Sequence, residues 1–151
     1  MTDGAAAPAL EMRRVLPARR PVVFAAFRDT ARLAQWWGPA GFTVPAIDFS
    51  TLTGEAYRIE MQPPEGDAFS VHGVFRTVHA PARLSFTFMW DPPDPDDVVT
   101  LVDLSFEDHG DTTEVLLWQG DFRTEARLEL HRDGWTESFD KLERLLAQPS
   151  K

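Results

Sequence analysis

His131 carries the side chain best suited to chemistry in this sequence. It lies on a stripe with Leu128, Trp135, Phe139, Leu142 and Leu146, residues that recur at steps of three and four. An imidazole titrates near neutral pH and can donate, accept or shuttle a proton. The competing reading is a histidine that satisfies a backbone carbonyl while it packs. Acid–base work needs a second group of opposed role, and Glu55 and Glu60 are the candidates for it. Gln119, late in another segment, offers a further polar group to the same interior. His72 alternates with Gly73 and Phe75 and is expected to face outward, whereas His79 and His109 fall at strand ends or turns. These residues do not form a complete catalytic constellation. There is no GxSxG, GxxxxGK[ST], GxGxxG or HExxH, and no closely spaced histidine pair. The chain has no Cys, which excludes disulfides, thiol catalysis and thiolate metal sites. Neither a metal nor a cofactor is expected. Asp91–Asp97 is rich in carboxylates but lacks the glycine and spacing of a calcium loop, and reads as a proline-stiffened hairpin tip.

A second chemistry is binding. Trp36, Trp37, Tyr57, Phe75, Phe88, Trp90, Trp135 and Phe139 all fall on predicted inward faces. With Gln119 and His131 they form the expected ligand-binding set, an aromatic-lined pocket for a flat apolar molecule. The alternative is a filled core, because aromatic side chains dominate ordinary cores. Trp36 and Trp37 cannot both face inward from adjacent helical positions, so one packs while the other borders the entrance. Met89, Leu116 and Trp118 are apolar on what should be the outer face. Such a patch can mark a partner surface, with a homodimer formed sheet to sheet as one reading and cover by sheet twist or a terminal segment as the other.

The elements that must position these groups follow from periodicity. Thr124 to Ala147 reads as one amphipathic helix, with Thr124 as cap, Glu125 at the positive end of the dipole and Pro149 past the end. Gly134 breaks the local rules. A mid-helix glycine costs about 1 kcal/mol relative to alanine, which predicts a bend or a close backbone approach. Leu10–Leu16 reads as a strand. Pro21–Arg28 is a short helix with proline in its first turn, and Asp29 or Thr30 caps a second through Trp37. Gly38, Pro39 and Gly41 end that helix. From Phe42 the period is two, giving strands at Thr43–Phe49, Glu55–Met61, Phe69–His79, Arg83–Trp90, Val98–Glu107 and Thr113–Gln119. Short turns between them imply an antiparallel meander. The predicted fold class is α+β: a curved antiparallel sheet of seven strands around a long C-terminal helix, with two short helices after the first strand.

Composition sets the limits. At 151 residues, 43% apolar and 26% charged, the chain is sized for one soluble domain. That domain is expected at residues 10–147, between a disordered lead at 1–9 and a tail at 148–151. A net charge of −9 with scattered basic residues argues against nucleic acid. No apolar run approaches the roughly 20 residues of a membrane span, and the N-terminus lacks the pattern of a signal peptide. A cytoplasmic location is the default expectation.

Several short motifs, taken in order, carry a resemblance. They are Trp36-Trp37-Gly38-Pro39, the run from Gly54 through Tyr57 and Arg58 to Met61, Gly73-Val74-Phe75, Pro81 to Leu84, Phe88-Met89-Trp90, and His131 to Trp135 with Leu142. Across residues 10–147 the chain resembles the START-related helix-grip superfamily (SRPBCC), in the branch of homologues of the heat-shock chaperone ATPase activator. One departure is visible: Gly54-Glu55 stands where that branch usually has Gly-Gly, which puts a carboxylate near the sheet edge. The resemblance implies a cavity between curved sheet and long helix, often used for apolar or aromatic small molecules. Three functions follow. The first is binding of such a molecule. The second is a cyclase, dehydratase or hydrolase using His131, Glu55 or Glu60. The third, ranked last and suggested only by the branch name, is a chaperone-regulating interaction protein; such activators normally carry a further docking domain, for which this chain is expected to have no room.

Overall fold

Helix ends are written into the local sequence. Pro21 opens α1 (Arg20–Arg28), where a missing N–H costs nothing. Asp29 caps α2 (Thr30–Trp36) by accepting from the N–H groups of Ala31 and Arg32 at 3.0 and 3.4 Å. Thr124 caps the long helix α3 (Glu125–Ala147), its Oγ1 accepting the Arg127 N–H at 3.1 Å. The computed structural model describes residues 7–49 and 53–147. The expected tail at 148–151, with Pro149, and most of the expected lead lie outside them. Of the lead, Pro8 accepts the Phe122 N–H at 2.8 Å.

Period-two segments form one antiparallel sheet of β1 (Leu10–Leu16), β2 (Thr43–Phe49), β3 (Ala56–Gln62), β4 (Phe69–His79), β5 (Arg83–Asp91), β6 (Thr100–Asp108) and β7 (Thr113–Gly120). The spatial order is β1-β7-β6-β5-β4-β3-β2, so β1 and β2 are the edges. Alternation holds on the inner face: Tyr57, Ile59, Met61, Leu84, Phe86, Phe88, Val102, Leu104, Phe106, Val115, Leu117 and Gln119 are all buried. This sheet, two short helices and a long C-terminal helix make the helix-grip architecture. Among the described residues no helix is long and apolar enough to cross a membrane.

The buried stripe of α3, comprising Leu128, His131, Trp135, Phe139 and Leu142, covers that inner face. Its two halves meet different surroundings. Toward the C-terminus, Phe139 packs in a cluster with Phe24, Phe27, Trp36 and Phe106, whose rings meet edge to face at 4.7 to 5.1 Å around Phe27 and Phe24. Arg14 of β1 ties this half down by donating to Asp140 and Glu143. Toward the N-terminus the space between helix and sheet is not filled.

Two local expectations change, and the outer face gains detail. Helix α2 stops at Trp36, and Trp37 takes an extended conformation (φ −66°, ψ 136°). The two indoles therefore do not occupy adjacent helical positions, and both are buried. Helix α3 runs unbroken through Gly134. A Cβ placed there would meet nothing nearer than Pro39 at 3.9 Å, so the glycine marks neither a helix end nor a tight crossing. The outer-face residues Met89, Leu116 and Trp118 are half-buried, and Leu116 and Trp118 sit among Glu11, Arg13, Asp103 and Ser105 of the adjoining strands.

A different glycine holds the sheet's shape. A Cβ on Gly73 would lie 1.9 Å from the Thr87 carbonyl oxygen and 2.8 Å from Thr87 Oγ1. That carbonyl also accepts the Tyr57 hydroxyl at 2.7 Å, while Thr87 Oγ1 accepts the Val74 N–H at 2.8 Å. Backbone cannot move aside as a flexible side chain can. Gly73→Ala is therefore expected to cost at least about 3 kcal/mol, the upper end of ordinary overpacking. Urea unfolding will check this; a loss below about 1 kcal/mol would contradict it.

Candidate functional site

The unfilled space is a cavity of about 660 Å³, open to solvent on one side. Three kinds of segment enclose it. Strands supply Met61, Phe69, Phe88 and Trp90. The turn after α2 supplies Trp37, Gly38, Pro39 and Phe42, and α3 supplies a strip from Arg127 to Ser138. Its aromatic wall is continuous: Trp135 meets Trp37 at 5.4 Å, Trp37 meets Phe88 at 6.5 Å, Phe88 meets Trp90 at 5.1 Å, and Trp90 meets Phe69 at 5.5 Å.

Trp37 is held in this wall by α3. Lys141 Nζ donates to the carbonyls of Trp37 and Pro39 at 3.4 and 3.2 Å, and Glu137 Oε1 accepts the Ala40 N–H at 2.9 Å. The turn itself depends on Gly38 at φ +96°, a left-handed conformation that other residues seldom adopt. Partial burial, together with the charge of Arg144, lowers the Lys141 pKa from its ordinary value, against the opposing effect of Glu137.

The polar edges of two of the cavity indoles, Trp90 and Trp135, are engaged inside the protein. Trp90 Nε1–H donates to His131 Nε2 at 2.9 Å, and His131 Nδ1 lies 2.6 Å from the Arg127 carbonyl oxygen. A carbonyl only accepts and an indole N–H only donates, so the imidazole is neutral with its proton on Nδ1. Burial pushes the His131 pKa below 6.5, the Arg127 charge pushes the same way, and the hydrogen bond to the Arg127 carbonyl and the Asp97 charge oppose it. Trp135 Nε1–H donates to Gln119 Oε1 at 2.8 Å, Gln119 Nε2 donates to Thr100 Oγ1 at 2.9 Å, and Thr100 passes the chain to the Phe88 carbonyl at 3.4 Å. Trp135, Gln119 and Thr100 are all buried.

The structure thus brings together five of the residues singled out by sequence: Trp37, Phe88, Trp90, His131 and Trp135 line the cavity. Gln119 stands behind the wall as the partner of Trp135. Trp36, Tyr57, Phe75 and Phe139 are buried in the core and do not line the cavity. Burial raises the Tyr57 phenol well above its ordinary pKa of 10.0 and keeps it a neutral donor. Glu55 is exposed and Glu60 half-buried, and neither lines the cavity. Sequence reasoning missed Phe42, Met61, Phe69, Gly134 and the charged residues of the mouth, Asp67, Asp94, Asp97, Arg127, Asp133 and Glu137. Loops bring in Phe42, Asp67, Asp94 and Asp97, where no period operates, and Gly134, Arg127, Asp133 and Glu137 lie on α3 beside the apolar stripe rather than on it. Elsewhere, the β6–β7 hairpin gathers Glu107, His109 and Glu114 so that their ligand atoms lie within 4.8 Å of one another on the surface, with Arg13 3.5 Å from Glu114.

The family model for Activator of Hsp90 ATPase homolog 1-like protein matches residues 17–147. The chain belongs to this family. Solved structures agree with the fold. The AHSA1 protein of Silicibacter pomeroyi is 30% identical with a TM-score of 0.82, covering 93% of this chain and 98% of its own. A Chromobacterium violaceum protein is 22% identical with a TM-score of 0.84 over the same shares. One from Rhodobacter sphaeroides is 23% identical with a TM-score of 0.82, covering 99% of each chain. Among curated proteins none matches the sequence. Membership of the family accounts for a ligand-binding fold and leaves the ligand to the chemistry of the cavity.

His131 generates a pH prediction. Its pKa is lower folded than unfolded, so the unfolded chain takes up the proton first as the pH falls. The stability contributed by the neutral imidazole is complete above about pH 6.5 and drains away as pH drops below that value. The stability gap between wild type and His131→Gln should therefore shrink between about pH 7.5 and pH 5, as read from urea midpoints. A gap that stays constant or widens would contradict the assignment.

Proposed function

We propose that this member of the family binds a small apolar or aromatic molecule in the cavity between the sheet and the N-terminal half of α3. The observation that carries the proposal is a continuous aromatic wall in which two of the three indole N–H groups are already engaged. Trp90 and Trp135 spend their N–H groups on His131 and Gln119, so what remains for a ligand is mostly hydrocarbon and ring surface. A volume of about 660 Å³ falls in the range that holds a drug-sized molecule. With both ring nitrogens engaged, His131 supports a binding role over acid–base chemistry. The same protein would act as a carrier or sensor of its ligand in the cytoplasm.

Gly134 fits this reading. It gives up about 1 kcal/mol of helix stability at a position that lines the cavity, where a Cβ would have only Pro39 nearby. The missing side chain leaves room beside the helix backbone for a flat ring. Gly134→Ala should stabilise the protein by up to about 1 kcal/mol, because the methyl group enters open space. Gly134→Phe should keep the fold and weaken binding of a neutral probe such as 2-naphthylmethanol by at least about tenfold, since the new ring occupies the ligand's volume. Calorimetric titration of both variants tests this. Unchanged affinity in a folded Gly134→Phe protein would place the probe elsewhere and remove the proposal's support.

A further inference from the structure

We infer that the cavity selects ligands that join a positive charge to an apolar or aromatic body; this rests on the reading of the cavity as a binding site. The charges around the mouth point one way. Asp67 comes from the β3–β4 connection, Asp94 from the β5–β6 connection, and Asp133 and Glu137 from successive turns of α3. Three separate parts of the fold thus place carboxylates at the opening. Glu137 is fixed by the Ala40 N–H and Asp94 by the Asp96 N–H, while Asp67 and Asp133 are exposed.

No cation on the cavity answers them. Among the described residues Arg127 is the one Arg or Lys in the lining, and it is ion-paired: its Nη2 lies 2.5 Å from Asp97 Oδ1, with the two side chains 18% and 4% exposed. The Nε of Arg127 is buried behind that ion pair and has no hydrogen-bond partner among the described residues. Lys141 does not line the cavity and points its ammonium at the Trp37 and Pro39 carbonyls. His131 presents a neutral ring with both nitrogens engaged. Of the four mouth carboxylates, Glu137 feels the Lys141 charge from outside the lining, while Asp67, Asp94 and Asp133 form no ion pair among the described residues, on a chain whose net charge is −9. An anionic ligand would enter against that potential, and a cationic one along it.

The wall beyond the mouth favours the same charge. Aromatic faces are electron-rich and attract cations, tryptophan most strongly, and the effect grows as water is excluded. Trp37, Trp90 and Trp135 line one cavity, with the N–H groups of Trp90 and Trp135 turned to protein partners. A primary or quaternary ammonium on an aromatic or aliphatic frame satisfies both features: rings against the frame, and carboxylates and ring faces toward the charge.

Three near-isosteric probes separate the inference from the reading beneath it: 2-naphthylmethylammonium, 2-naphthylmethanol and 2-naphthoate, titrated calorimetrically into the whole protein. The ammonium should bind at least about tenfold tighter than the carboxylate at low salt, with the alcohol between them, and the gap should narrow at high salt. It should also narrow in Asp67→Asn/Asp133→Asn, where both sites are exposed and a thermal melt will verify that the fold is kept. A carboxylate that binds as tightly as the ammonium, or a gap indifferent to salt and to the double substitution, overturns charge selection and leaves the cavity's binding role standing on the alcohol. Failure of all three probes to bind overturns both.

Discussion

Two indole N–H groups held between a sheet and a helix, that of Trp135 buried and that of Trp90 half-buried, set the terms for this structure. An unpartnered buried donor costs about 1–3 kcal/mol, so Trp90 and Trp135 can line the interior only if something nearby accepts from them. His131 and Gln119 do so, one from the helix and one from β7. Each acceptor is itself held, His131 by the Arg127 carbonyl and Gln119 by Thr100. The resulting contacts lock α3 to β5, β6 and β7 at the end of the fold where apolar packing is missing. They also fix which surfaces of the rings remain for a ligand. His131, the side chain best suited to chemistry, is thereby committed with Gln119 to positioning the wall.

The rest of the architecture divides along α3. Around Phe139 the interior is filled by edge-to-face rings from α1, α2 and β6, and this half supplies the packing energy. Around Gly134 it is open, and the helix gives up local stability to keep it so. Lys141 and Glu137 bridge the two halves by gripping the backbone of the turn that carries Trp37. Arg127 and Asp97 do the same for the β5–β6 connection at the far side of the mouth. The site's shape is thus set by side chains of a rigid helix reaching outward to loops, the arrangement that keeps a loop-built rim in register with its walls.

Much of this fold could be read from the sequence because its determinants are local. Period-two alternation from Tyr57 to Gln119 assigned the inner face correctly, and Pro21, Asp29 and Thr124 marked helix starts by their own chemistry. The site was legible only in part. Trp37, Phe88, Trp90, His131 and Trp135 stand out because they fall on inward faces, and these do meet around the cavity. Trp36, Tyr57, Phe75 and Phe139 share that signature and sit in the filled core, because a period reports burial and cannot distinguish a packed neighbour from a void. The role of His131 depended on Trp90, 41 residues away, and that of Gln119 on Trp135, 16 away. Such pairings exist only once the sheet has registered. Phe42, Phe69 and the carboxylates of the mouth arrive mostly on loops or at strand ends, where no period operates. Gly134 was flagged as an anomaly for the right energetic reason, and its meaning came from the empty space beside it.

If the aromatic cavity takes a small molecule as proposed, the five tryptophans of the chain are internal reporters of it. Trp37, Trp90 and Trp135 line the cavity, Trp36 is packed in the core, and Trp118 lies on the outer face. The most direct measurement is the ¹H–¹⁵N spectrum of the indole groups during titration with 2-naphthylmethanol. The account predicts saturable shifts of the Trp37, Trp90 and Trp135 signals with one shared affinity, while Trp36 and Trp118 stay essentially still. Shifts confined to Trp118, or no saturable shift at the three cavity indoles, would contradict it.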